Sequence, residues 1–124
     1  MTTLYILHFD LPIEHAGHYS GCTTHLFSRL WDHATGHGSR LTQVCHEQGI
    51  DWILAAVMVG SFTDEQRLKA MHSAPLYCPL CSKEETRTLQ GCTPYPVEIV
   101  QQQFPIRSEI IRKESRPCPP THIS

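Results

Sequence analysis

The stretch IDWILAAVMVGSF, residues 50–62, carries a single charged residue, Asp51. It is shorter than the roughly 20 apolar residues that a bilayer-spanning helix requires. A strand buried on both faces reads this way. The sheet that holds it must be covered on both faces by other elements.

Those helices have local signals. Leu26, Phe27, Leu30, Trp31 and Ala34 recur at helical spacing after Thr23 or Thr24, either of which can cap by accepting a bond from an unpaired N–H. The sequence GHG at 36–38 ends that helix, since glycine tolerates a left-handed exit. SRLTQVCHEQG, residues 39–49, reads as a second helix with Ser39 as cap and Gly49 as stop. Thr63 with Gln66 forms a capping-box pattern that opens a third helix, which Pro75 bars from continuing.

Two strands precede the first helix. LYILHF, residues 4–9, is apolar and β-rich, and HYSGCT, residues 18–23, is a second short strand. They pair as an antiparallel hairpin whose long loop is DLPIEHAGH. The order β, β, α, α, β, α predicts an α+β fold: a small three-stranded antiparallel sheet flanked by helices.

Eight of the nine prolines lie from Pro75 onward, which divides the chain. Residues 1–76 read as the folded unit, 77–92 as a cysteine-bearing extension, and 93–124 as a proline-rich, partly disordered tail. Within that tail, PYPVEIVQQQFPI can supply one strand that docks on the core. The N-terminus lacks a basic segment followed by a long apolar one, so no signal peptide and a cytoplasmic location are expected, with no membrane partner. Six cysteines without a secretion signal read as free thiols or metal ligands before disulfides. Cys22, Cys45, Trp31 and Trp52 read as core residues. A formal net charge of −2 argues against tight nonspecific duplex binding.

Arg29 and His33 are four apart, so they share a helix face beside the Leu26/Leu30 stripe. Read alone, they are an ordinary surface pair. Tyr5 and Tyr19 in strands read alone as packing, and Glu65 in a first helical turn as a stabilised carboxylate. CPLC, with Cys78 and Cys81, has zinc-knuckle spacing. Cys92 is the next thiol and His72 the nearest imidazole, which together would complete a tetrahedral structural Zn²⁺ site. His8, His15, His18, His25 and His37 acquire no role.

The residues TLYIL, YSGCT, LFSRLWDH and DEQRLK, in that order and approximate spacing, resemble the GIY-YIG nuclease family over about residues 3–76. YSG stands at the second tyrosine motif with Gly21 matching, and LYIL at the first, with Thr3 and Leu4 in place of the usual Gly-Ile. Thr23 or Thr24, Leu26, Arg29, Leu30 and His33 fit the pattern T-x-x-L-x-x-R-L-x-x-H. The set looks like small stand-alone prokaryotic or phage-type members.

This resemblance implies a DNA endonuclease that hydrolyses phosphodiester bonds with a divalent cation, Mg²⁺ or Mn²⁺. It implies Tyr5 and Tyr19 as active-site tyrosines, one acting on the attacking water. It implies Arg29 as the phosphate-holding arginine, His33 as an aid to proton handling, and Glu65 as the metal-binding carboxylate. The chemistry suits the residue types: arginine offers two donors to a phosphate, and a tyrosine can act as a base only where positive charge lowers its pKa from about 10, which Arg29, a metal and Lys69 would supply. Two alternatives stand beside it: a catalytically silent binding module of the same fold, and a small zinc-stabilised interaction domain centred on CPLC.

Overall fold

The computed structural model describes residues 2–13, 16–70, 74–81, 91–97, 100 and 107–115. The elements are β1 (Thr3–Ile13), β2 (Ala16–Thr23), α1 (Leu26–Ala34), α2 (Arg40–Gln48), β3 (Trp52–Val59), α3 (Phe62–Ala70), a 3₁₀ turn (Ala74–Tyr77), β4 (Thr93–Tyr95) and α4 (Ser108–Ser115). The fold is α+β, with one antiparallel sheet in the order β2-β1-β3-β4. The expected three strands are there, and β4 adds a fourth.

β1 is the central organiser. It pairs with β2 from Thr3↔Thr23 to His8↔His18, and with β3 from Thr3↔Val59 to Phe9↔Trp52. Side chains alternate along a strand, so β1 feeds two cores. Tyr5, Leu7 and Phe9 face a layer that includes Leu30, Ala34, Cys45, Trp52, Leu54 and Ile111. Leu4 and Ile6 face the other side with Met58 and Leu68.

β3 fulfils its apolar promise by serving both cores. Its parity changes midway, because Ile6 pairs with Ala56 while Leu7 pairs with Leu54. The intervening Ala55 is an inserted residue, a β-bulge that puts Trp52, Leu54 and Val57 on the same side. The expected long hairpin loop is mostly strand instead: β1 continues through Pro12 to Ile13, and Ile13 pairs with Ala16. The pairing of β1 with β3 ends at Phe9, so among the described residues Pro12 faces no β3 partner and its missing donor is tolerated.

Helix ends follow their chemistry with two shifts. α1 has His25 at its N-cap without a side-chain bond; Thr23 Oγ1 accepts from the His25 N–H at 2.9 Å instead. Its exit is a Schellman turn, with His37 N–H donating to the Asp32 carbonyl and Gly36 at φ 85°. α2 begins with Ser39 accepting from Thr42 N–H and ends at Gly49 in the left-handed region, as expected. α3 opens two residues earlier than Thr63 suggests. Ser61 Oγ accepts from Asp64 N–H at 3.2 Å, while Asp64 Oδ2 accepts from Ser61 N–H at 2.8 Å. This reciprocal pair is the capping box.

The folded unit draws on the region that composition assigns to a tail. Val100 and Ile111 are buried in the first core. Ser108 ties α4 to the start of β3, accepting from Trp52 N–H at 2.9 Å and donating to Asp51 Oδ1 at 2.9 Å. Trp52 and Cys45 are fully buried, as expected of core residues, whereas Trp31 and Cys22 are partly exposed. Among the described residues no helix is long and apolar enough to cross a membrane.

Candidate functional site

The register of the hairpin puts Tyr5 opposite Gly21 and Tyr19 opposite Leu7, so both phenols project from the same face. α1 packs on that face and presents Arg29 and His33. The rings of Tyr5 and Tyr19 lie 6.2 Å apart, and His33 is 5.7 Å from Tyr5 and 4.9 Å from Tyr19, the latter edge-on. The Arg29 guanidinium sits against both phenols. α3 runs beside β2, the edge strand, and brings Lys69 Nζ to 5.1 Å from the Tyr19 ring centre. Glu65, one turn earlier, pairs with Lys69 at 2.7 Å.

Tyr5, Tyr19, Arg29, His33 and Glu65 therefore belong to one connected cluster, with Lys69 joining Glu65 to Tyr19. Its exposure is uneven. Tyr5 and His33 are wholly buried, so they lie beneath the surface rather than on it. Glu65 is 5% exposed, while Tyr19 and Arg29 reach solvent in part.

The buried half is a directed chain of hydrogen bonds. Tyr5 Oη lies 2.6 Å from His33 Nε2, and His33 Nδ1 lies 2.7 Å from Thr42 Oγ1. Thr42 Oγ1 donates to the Ser39 carbonyl at 3.2 Å. With that hydrogen on the Ser39 carbonyl, Thr42 Oγ1 accepts from His33 Nδ1–H, and Nε2 is then the acceptor for the Tyr5 hydroxyl. Arg29, which can only donate, also interacts with the Tyr5 oxygen and agrees with that direction. The imidazole is neutral: burial first, then the positive charges of Arg29 and Lys69, push its pKa down to about 3. Burial, then the neighbouring Tyr19, pushes the Tyr5 phenol well up, against the opposing pull of Arg29. Tyr5 thus stays a protonated donor.

Two glycines make room for this chain. A Cβ on Gly21 would overlap the Tyr5 phenol, with its Cε1 at 2.9 Å. A Cβ on Gly38 would overlap the His33 ring, with its Cε1 also at 2.9 Å. Sequence reasoning treated Gly38 and Ser39 only as a helix stop and a cap, and missed Thr42. The signal was in the spacing, since a turn between α1 and α2 brings the start of α2 back against the end of α1.

A divalent cation at Glu65 is compatible with the donor set. Oε2 of this buried carboxylate meets Lys69, and Oε1 has no partner among the described residues. Mg²⁺ binds through as few as one carboxylate, completed by waters and substrate oxygens.

A second cluster lies on the opposite face of the sheet. His8 and His18 form a cross-strand pair, and the chain after α3 returns Cys78 and Cys81 to them. The four ligand atoms all lie within 4.8 Å of one another, a grouping that can hold a metal ion. His8 and His18, to which the sequence assigned no role, are the partners of CPLC. Cys92 stands elsewhere, beside Gly60 and Asp64, and His72 lies outside the described residues.

Comparison with models of protein families, with curated proteins and with solved structures finds no match to this chain.

Proposed function

We propose that the protein is a divalent-metal-dependent endonuclease that hydrolyses DNA phosphodiester bonds at the Tyr5–Tyr19–Arg29–His33–Glu65 cluster. The observation that carries the reading is the gathering of these five side chains, drawn from β1, β2, α1 and α3, into one connected set. The motif resemblance to GIY-YIG nucleases supplies the substrate class.

Each residue has a physical task. Arg29 holds the scissile phosphate through its planar two-donor edge and balances charge that grows on the phosphate oxygens. Tyr19 is the phenol with solvent access, so it orients the attacking water by accepting its hydrogen bond. Tyr5 remains protonated and is fixed by His33, whose own ring is fixed by Thr42. This buried chain prevents the phenol from turning and keeps the face on which Tyr19 rests rigid. Glu65 would hold Mg²⁺ or Mn²⁺, which when bound supplies Lewis acidity toward the phosphate. Lys69 neutralises Glu65 and adds a second positive charge beside Tyr19.

The test is nicking of supercoiled plasmid by the full chain with Mg²⁺ and with EDTA. The parent should convert plasmid to the open-circular form only with the metal, and Glu65→Gln should lose at least about a hundredfold in rate, the scale of losing one preorganised electrostatic group. Metal-dependent nicking that persists unchanged in Glu65→Gln would remove Glu65 from the site.

A further inference from the structure

We propose that His8, His18, Cys78 and Cys81 form a structural zinc site that clasps the β1–β2 hairpin to the chain emerging from α3. The argument starts with geometry. Zn–S bonds of about 2.3 Å and Zn–N bonds of about 2.0–2.1 Å at tetrahedral angles require ligand edges of about 3.3 Å for N···N and about 3.5 Å for N···S. The structure has His8 Nδ1 3.2 Å from His18 Nε2. Cys78 Sγ and Cys81 Sγ lie 3.5 and 3.6 Å from His8 Nδ1, and Cys81 Sγ lies 3.3 Å from His18 Nε2. Every one of these edges is within a few tenths of an ångström of the tetrahedron.

Hydrogen bonding does not account for the arrangement. His8 Nδ1 is within bonding range of three atoms at once: His18 Nε2, Cys78 Sγ and Cys81 Sγ. An imidazole nitrogen has one in-plane direction, carrying either one hydrogen or one lone pair. It cannot serve three partners. Four donor atoms that converge on a common centre satisfy all of them together.

The scaffold is built for that centre. His8 and His18 face each other across β1 and β2, which fixes both imidazoles on the same side of the sheet. Cys78 and Cys81 are held by a turn in which Cys81 N–H donates to the Cys78 carbonyl at 3.1 Å. Cys78 is wholly buried and Cys81 is exposed, so the site is closed on its inner side and reached from the outer. Two thiolates, two neutral imidazoles and Zn²⁺ make a neutral unit that burial does not penalise. Soft sulfur with imidazole in a tetrahedron selects zinc over the oxygen-seeking cations. Four protein ligands leave no open position, so the role is structural. The clasp holds the segment directly after α3, the helix that carries Glu65 and Lys69, to the strands that carry Tyr5 and Tyr19.

The experiment is the metal content of the full chain, purified without chelator, for the parent and for His8→Ala, His18→Ala, Cys81→Ser and Cys92→Ser. The parent and Cys92→Ser should hold one zinc per chain, and the other three should lose most of it. A second readout needs no variant: parent stripped of zinc and loaded with Co²⁺ should show the visible absorption of a tetrahedral site and thiolate-to-cobalt bands in the near ultraviolet. Two results would overturn the proposal: a zinc-free parent that binds Co²⁺ only octahedrally, or a Cys78–Cys81 disulfide in the purified chain. Zinc that survives both histidine substitutions would overturn the assignment of His8 and His18. None of these readouts depends on nuclease activity.

Discussion

Lowering the pH from 7.5 to 5 should destabilise the protein through one buried imidazole. His33 has a folded pKa of about 3 against 6.5 for the free side chain, because burial and the Arg29 and Lys69 charges disfavour its cation. Between those two values the unfolded chain binds a proton that the folded chain refuses. The unfolded state therefore holds more protons, and stability rises with pH across that window. The contribution is complete above pH 6.5 and is lost as pH falls toward 3. Each pH unit is worth about 1.4 kcal/mol, so the interval from 6.5 to 5 removes ~2 kcal/mol. Urea unfolding of the parent and of His33→Gln, whose amide does not titrate, isolates this term. Other titrating groups act on both proteins and cancel in the difference. The parent's midpoint should fall by ~1–2 M more than the variant's between pH 7.5 and 5. Equal pH dependence in the two proteins would refute the reasoning, since it would mean that His33 titrates as it does in the unfolded chain.

Arg29→Lys keeps the charge but loses the two-donor edge, so DNA binding at two salt concentrations should be little changed while cleavage slows at least about a hundredfold. Gly21→Ala forces a methyl into the Tyr5 phenol and should cost about 1–3 kcal/mol in urea unfolding, whereas Gly17→Ala, with nothing within 4 Å of the added carbon, should avoid that clash. Ser61→Ala removes the capping box of α3 and should lower stability by about 1 kcal/mol by the same assay.

The hairpin, α1, α2 and the doubly buried β3 were legible because their signals are local: alternation, helical periodicity, Ser39 and Gly49. The bulge at Ala55 was hidden, since in a strand apolar on both faces a parity change leaves no mark in the pattern. The start of α3 was misplaced because Ser61 and Thr63 are both competent caps, and only the return bond from Asp64 decides between them. The strand expected within PYPVEIVQQQFPI is realised, among the described residues, only at its start, in β4, whereas α4 lies among prolines that disguise Ile111, which docks on the core. The partners of Cys78 and Cys81 were sought nearby in sequence, at Cys92 and His72. They lie 70 and 63 residues away, brought close by strand pairing. That pairing was itself readable: a register that puts Tyr5 opposite Gly21 puts His8 opposite His18. The resemblance singled out Tyr5, Tyr19, Arg29, His33 and Glu65, but spacing could not show that Tyr5 and His33 would lie beneath the surface while Tyr19 reaches solvent.

The central claim is that Arg29 and Glu65, on different helices, act on the same phosphate. The most direct test is the single-turnover cleavage rate of labelled duplex DNA in Mg²⁺ for the parent, Arg29→Lys, Glu65→Gln and the double variant. Groups that work as a unit are strongly non-additive. The account predicts that each single variant is at least about a hundredfold slower than the parent, and that the double variant is no slower than the worse single one within a few-fold. A parent that leaves DNA intact in Mg²⁺, or single losses that multiply in the double variant, would contradict it.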